Sequence, residues 1–284
     1  MDKFWRAEAM IRQEGRNRVT LLDATPATLM QLERVHAPSY LEQIRFNRLE
    51  PPAAARLGLP AGALLLARSA LEVGGTLAAA ASALADRLAC NLAGGTHHAF
   101  PDRGLGYCVL NDVAIAIAEL RVQRPHFRFM VIDTDAHQGN GTHGIFAHDP
   151  LVFTYSIHVG KNYPSEKTPG SLDVPLPRFV SGEHYLEQLE ATLPSAYLDF
   201  APDFVFWIAG ADLHRDDRFG QMKLDESHFA ARDEFILDLG HDARPPTTVL
   251  YGGGYNRDRT LTARLHADTV LRVASRWAAI QTPR

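Results

Sequence analysis

Residues 127–141 read FRFMVIDTDAHQGNG, a short apolar run that turns polar at Asp133. A run of this kind, apolar throughout and without alternation, reads as a strand buried on both faces. Three further stretches have the same character: Leu151–Ile157 (LVFTYSI), Phe204–Ala209 (FVFWIA) and Thr247–Tyr251 (TTVLY). Helical segments are expected at 183–199, 226–239 and 259–278. Alternating strands and helices predict an α/β domain with a mainly parallel sheet flanked by helices. Ligands in such sheets bind beyond the carboxyl ends of the strands. Polar motifs follow each run: Asp133–Asn140, Ser156-Ile157-His158, Gly210-Ala211-Asp212 and Gly252–Tyr255.

Upstream, Met1–Glu14 reads as a helix and Arg18–Leu22 as a short strand. Helices are expected at Pro26–Val35 and Ser39–Asn47, and Pro51, Pro52 and Pro60 mark a loop. Ala63–Leu88 is a long helical segment, and Asn111 can cap a helix over Asp112–Gln123. No repeat, linker or composition break divides the chain, so residues 1–284 are read as one domain. The 46% hydrophobic content and net charge of −4 are ordinary for a globular protein and give no basic field for nucleic acid. The opening residues MDKFWRAEAMIRQEG lack an apolar leader, and the apolar stretch Leu77–Leu84 is too short for a bilayer, so no membrane partner is expected. Cys90 and Cys108 are isolated, which suits a reducing compartment and the cytoplasm. Only four of the 29 basic residues are Lys, a bias that hints at a GC-rich bacterial genome.

Asp133, Asp135 and His137 alternate along VIDTDAH, which on an extended segment points all three the same way. Carboxylate oxygen and imidazole nitrogen are both good zinc ligands, and Asp212 can add a third from another strand end, leaving a position open for water. Strand-end carboxylates also cap helices and brace loops, and the spacing alone leaves that reading open. GGTHHAF, residues 94–100, carries His97 and His98 after glycines that permit close backbone approach. Such a pair suits a general base with an electrostatic partner, or a structural role. YGGGYN, residues 251–256, carries Tyr255, whose hydroxyl can donate to a developing oxyanion or simply pack beside a glycine turn.

Together GGTHHAFPDRGLGYCVLNDVAIA, VIDTDAHQGNGTHGIF, FTYSIHVGKNYP, AGADLHRDDRFG and YGGGYN resemble the histone deacetylase family, in the family's order over roughly residues 90–260. The likeness looks closest to class IV-like bacterial deacetylases, which share the AHQGNG form. It implies the single-domain three-layer arginase/deacetylase fold and hydrolysis of acetyl-lysine-type N-acyl amides by a metal-activated water. By resemblance, Asp135, His137 and Asp212 bind Zn²⁺, with Fe²⁺ as the alternative that similar sites accept. His98 is then the general base and acid, His97 its electrostatic partner, Asp133 the group orienting His97, and Tyr255 the group polarising the carbonyl. Gly106, Tyr107 and Tyr163 line the acyl-lysine channel. Asp133 and Ser156, with backbone carbonyls of Asp135, His137 and Ile157, match the family's structural K⁺ site.

The chain departs from the family at Asn140, where many members carry a second Asp beside the base, although class IV-type members share the Asn. Relatives also carry a further strand and a loop ahead of the segment matching Met1–Gly15. A form without that first strand is expected to have a more open rim and a vacant sheet position, hence possible self-association. The implied partners are an acyl-lysine peptide or protein, or an acylated small amine such as an acetylpolyamine. A catalytically silent acyl-lysine binder is the reading from another class. A binuclear hydrolase of the arginase type would need more ligands than this chain offers. His214 and the charged HRDDRF segment are read as a solvated loop, with Asp217 bracing it.

Overall fold

The computed structural model describes residues 2–239 and 245–281. The sheet holds six strands: β1 (Leu88–Asn91), β2 (Phe129–Asp133), β3 (Val152–Val159), β4 (Leu172–Leu176), β5 (Phe204–Ile208) and β6 (Thr247–Leu250). Their order is β1-β6-β5-β2-β3-β4, and every neighbouring pair is parallel. All carboxyl ends therefore open on one rim.

The helices are α1 (Lys3–Glu14), α2 (Leu29–Leu32), α3 (Pro38–Arg45), α4 (Pro51–Leu57), α5 (Ala63–Asp86), α6 (Asp112–Gln123), α7 (Asn140–Phe146), α8 (Gly182–Phe200), α9 (Glu226–Asp238) and α10 (Arg259–Gln281). Successive strand residues face opposite sides, and β2 shows why its run had to be apolar throughout. Met130 and Ile132 pack in a core with Tyr185, Leu189 and Leu193 of α8, while Phe129 and Val131 pack with Ala80 and Ala83 of α5 and Ile117 of α6. A helix layer covers each face, giving the three-layer architecture that the alternation predicts.

Several boundaries differ from the sequence reading. Arg18–Leu22 is not a strand; Val19 and Leu21 instead pack, partly buried, beside Ile11 and Ala267. Pro26–Val35 shrinks to the four residues of α2, opened by a Thr28–Gln31 capping box. Pro51 and Pro52 begin α4 rather than a loop, because the first helical N–H groups have no intrahelical partner to lose. Strand β4, LDVPL, carries a proline and lies at the sheet edge, where a missing N–H is tolerated. Helix α5 is 24 residues long and apolar enough in composition to cross a membrane, which the Leu77–Leu84 stretch alone did not suggest. It packs Val73, Gly74, Thr76, Ala79, Ala80 and Ala83 into the fold.

His36 ties the α2–α3 corner to the site-bearing loops. Its buried Nε2 accepts the Asn111 N–H at 2.9 Å, so the ring must be unprotonated there. Burial draws it from 6.5 down to about 4. The unfolded chain then binds the proton more readily than the folded one, so this contribution is complete above pH 6.5 and is lost as pH falls toward 4. Thermal melts should lose on the order of 3 kcal/mol of stability across that window, and a His36→Gln variant, which keeps an acceptor without titrating, should show a shallower pH slope.

Candidate active site and metal centre

Strands β2 and β5 are parallel neighbours with Asp133 in register with Ile208. The chain leaving each strand thus delivers Asp135 and His137 from one end and Asp212 from the next. Among the described residues their donor atoms form a single buried cluster within 4.8 Å of one another. His137 Nδ1 hydrogen-bonds Asp135 Oδ1 at 3.0 Å. Asp212 Oδ2 lies 2.8 Å from the same nitrogen and has no hydrogen-bond partner among the described residues. One ring N–H cannot serve both carboxylates. Burial, reinforced by the Asp135 charge, pushes Asp212 up to about 7. A divalent cation among the three atoms relieves the repulsion and gives the orphaned oxygen a partner, and the O/N donor set suits a first-row metal.

Backbone contacts fix the two carboxylates. Asp135 Oδ2 accepts the Gly253 N–H at 2.7 Å, and Asp212 Oδ1 accepts the Ala136 N–H at 3.0 Å. A Cβ on Gly253 would fall 2.7 Å from Asp135 Oδ2 and 2.9 Å from Asp212 Oδ2, so a side chain there collides with the ligands. The fully buried Arg232 donates to the Gly210 carbonyl at 2.7 Å and pairs with Asp233, holding the turn that leads to Asp212.

His97 and His98 sit on the loop after β1, their ring centres 4.1 Å apart. The buried Asp112 carboxylate anchors this loop by accepting the N–H groups of Gly95 and Thr96 and the hydroxyls of Thr76 and Thr96. His97 Nδ1 donates to Asp133 Oδ2 at 2.7 Å. Burial opposes a charged His97, yet Asp133 and Asp135 carry it up to about 9. His98 Nδ1 donates to Asn140 Oδ1 at 2.9 Å, which leaves Nε2 as the free base. Burial, then the neighbouring His97 and His137, holds His98 well below its ordinary range. The environment thus separates a charged imidazole from a neutral one.

Tyr255 lines the same cavity. Its N–H donates to Asp217 Oδ2 at 2.5 Å, while Asp217 Oδ1 accepts from Phe219 and Gly220, so Asp217 braces the loop that carries the tyrosine. Burial raises the phenol far above its usual range, keeping it a donor. Tyr163 stands edge-on to His98 at 5.0 Å, and Gly106 faces Tyr163 so closely that a Cβ would lie 2.8 Å from its ring. Tyr107 lines the cavity and is 47% exposed, which puts it at the mouth. Asp133 and Ser156 are paired across β2 and β3, Ile157 is buried beside them, and Ser156 Oγ bonds His158 Nδ1 at 3.0 Å. His214 corrects the sequence reading: it is buried, and only the residues after it turn toward solvent, because Leu213 and Leu224 draw this end of the loop into the core.

A family model described as the histone deacetylase domain matches residues 3–270. The chain belongs to the histone deacetylase family. An uncharacterized protein of Picosynechococcus sp. is 40% identical over 227 residues, covering 80% of this chain and 76% of that protein. Histone deacetylase 2 of Arabidopsis thaliana is 31% identical, covering 74% of this chain and 54% of its own length. The acetoin utilization protein AcuC of Staphylococcus xylosus is 31% identical, covering 81% and 66%. The chain therefore spans only about half to two thirds of these two relatives. The crystal structure of the HDA15 HD domain matches 99% of this chain and 88% of that chain, with TM-score 0.75 at 21% identity, a likeness of fold.

Sequence reasoning missed Asp112 as an anchor, Arg232 as a clamp and Lys3 as a wall of the cavity. Asp112 was legible only as the start of a helix, and the other two act over long chain separations. Asp212→Asn should weaken divalent-cation binding, read by calorimetry on the metal-stripped chain, by more than the 10–100-fold typical of an outer-sphere partner.

Proposed function

We propose that this chain is a Zn²⁺-dependent deacylase that hydrolyses acetyl-lysine-type N-acyl amides, releasing an amine and a carboxylate. The observation that carries the reading is a buried Asp135–His137–Asp212 cluster, of which Asp135 and His137 line one cavity with a neutral His98 and a protonated Tyr255. Zn²⁺ held by those three residues would supply Lewis acidity toward the amide carbonyl and a lowered pKa for water.

The chain's own groups do the rest. His98 takes the proton of the attacking water on Nε2, and Asn140 fixes the ring without adding charge. Tyr255 donates its hydroxyl to the oxygen that gains negative charge. His97, kept charged by Asp133, adds a positive field beside the reacting carbon. A histidine then protonates the departing amine. Cys108 is buried and its thiol is raised above the ordinary range by burial, which disfavours the thiolate a nucleophile needs.

Asn140 supports a class IV-like placing within the family, and the Arg-rich composition a bacterial source. Asp133 and Ser156, with the carbonyls of Asp135, His137 and Ile157, would hold a structural K⁺. Two free cysteines suit the reducing cytoplasm.

The test is deacetylation of a fluorogenic acetyl-lysine peptide by the Zn²⁺-loaded chain. A chelator should abolish turnover and re-addition of metal restore it. Tyr255→Phe should lower kcat about a hundredfold or more, as loss of an oxyanion donor does. Full turnover by metal-free protein would sink the mechanism.

A further inference from the structure

The cavity, about 620 Å³, is larger than an acetyl-lysine needs, and its lining includes charges that the hydrolysis does not use. Beside Asp135, His137 and Tyr255 it is walled by Lys3, Arg68 and Glu72. Lys3, at the start of α1, reaches across to the glycine loop after β6. Its Nζ lies 3.4 Å from both the Gly252 and Gly254 carbonyls and 5.1 Å from the centre of the Tyr255 ring. Those contacts are long for N–H···O bonds, which cluster near about 2.9–3.0 Å, and an ammonium carries three donors. No carboxylate among the described residues is ion-paired with it.

The surrounding charge leaves this cation under-compensated once the site is loaded. Burial draws Lys3 below its ordinary range, and the opposing carboxylates are Asp212, Asp135, Glu72 and Asp217. Asp135 and Asp212 are the residues whose charge a metal would take up. Asp217 is occupied by three backbone N–H groups. Glu72 accepts the Gly94 N–H at 3.3 Å, and burial, then the nearby Asp112, weakens its acidity.

Position gives the cation its meaning. An amide carbonyl held between Tyr255 and the triad would send its amine toward the exposed Tyr107 and Tyr163. Its acyl substituent would then lie on the other side, over Gly94–Gly95 and Gly252–Gly254, loops joined by the Gly252 N–H on the Gly94 carbonyl at 3.1 Å. That floor has no side chains. Gly253 holds the ligand Asp135, and Lys3 holds the two carbonyls flanking Gly253. The ammonium sits at the edge of this floor, 5.1 Å from the centre of the Tyr255 ring whose hydroxyl would meet the carbonyl.

We propose that this site accepts N-acyl groups ending in a carboxylate, of the succinyl or glutaryl kind, with Lys3 as their counter-ion. The proposal rests on the deacylase reading and deepens it. The reaction is the same hydrolysis: the amide C–N bond breaks, a C–O bond forms from water, and the water's proton goes to the amine, leaving a dicarboxylate.

The experiment compares acetyl-, butyryl-, succinyl- and glutaryl-lysine in one fluorogenic peptide with the Zn²⁺-loaded full chain. Succinyl or glutaryl should exceed the uncharged butyryl in kcat/KM by about tenfold or more, the worth of one charge-assisted hydrogen bond. Lys3→Met should erase that ratio and Lys3→Arg retain it. Calorimetry should show glutarate binding more tightly than butyrate to the loaded chain, with the difference lost in Lys3→Met. Turnover of acetyl-lysine with no advantage for the acidic groups overturns this proposal and leaves the deacylase reading standing, as does an equal loss on all substrates in Lys3→Met. Turnover of no substrate overturns both. If Lys3→Met does not fold, the wild-type ratio decides, and a value of one or below refutes the proposal.

Discussion

Two carboxylates, Asp135 and Asp212, are buried at adjacent strand ends around a single imidazole nitrogen, and this is the arrangement on which the site depends. Neither can be satisfied by His137 alone, and one oxygen is left with no hydrogen bond. Burying like charges this close is unfavourable unless a cation or a proton joins them. The fold sustains the arrangement through rigid neighbours: the Gly253 and Ala136 N–H groups on the carboxylates, and Arg232 on the turn between β5 and Asp212. A cation then completes a structure that the chain has already paid to preorganise.

The same buried charge sorts the two histidines. His97 lies against Asp133 and 3.9 Å from Asp135, so its positive form is favoured despite burial. His98 meets a neutral amide and two neighbouring imidazoles, so its neutral form is favoured. Adjacent residues of one type thus take opposite protonation states because the groups behind them differ. Asn140 matters for that reason: an aspartate there would add charge to His98, whereas the amide orients the ring and leaves its basicity low.

Much of this was legible in the sequence. The continuous apolar runs Phe127–Ile132, Phe204–Ala209 and Thr247–Tyr251 marked strands buried on both faces, and parallel packing of such strands brings their polar ends to one rim. The alternation of Asp133, Asp135 and His137 announced a common direction. Less visible were elements whose residues obey weaker rules. Strand β4 carries a proline and lies at the sheet edge, partly exposed, paired with β3 alone. Arg18–Leu22 has strand-like residues but no ladder partner, so apolar packing against α1 and α10 decides its shape.

The sequence by itself determined the class of fold and the chemical types at the strand ends, because side-chain period and motif spacing are local properties of the chain. Tertiary structure alone decided which groups share a charge. Lys3 meets Gly252 and Gly254 across some 250 residues, and Asp135 meets Asp212 because β2 and β5 are neighbours in the sheet. Electrostatic coupling falls with distance in space and not along the chain. The acidity of each group, and the chemistry it can perform, is therefore fixed only when the sheet is assembled.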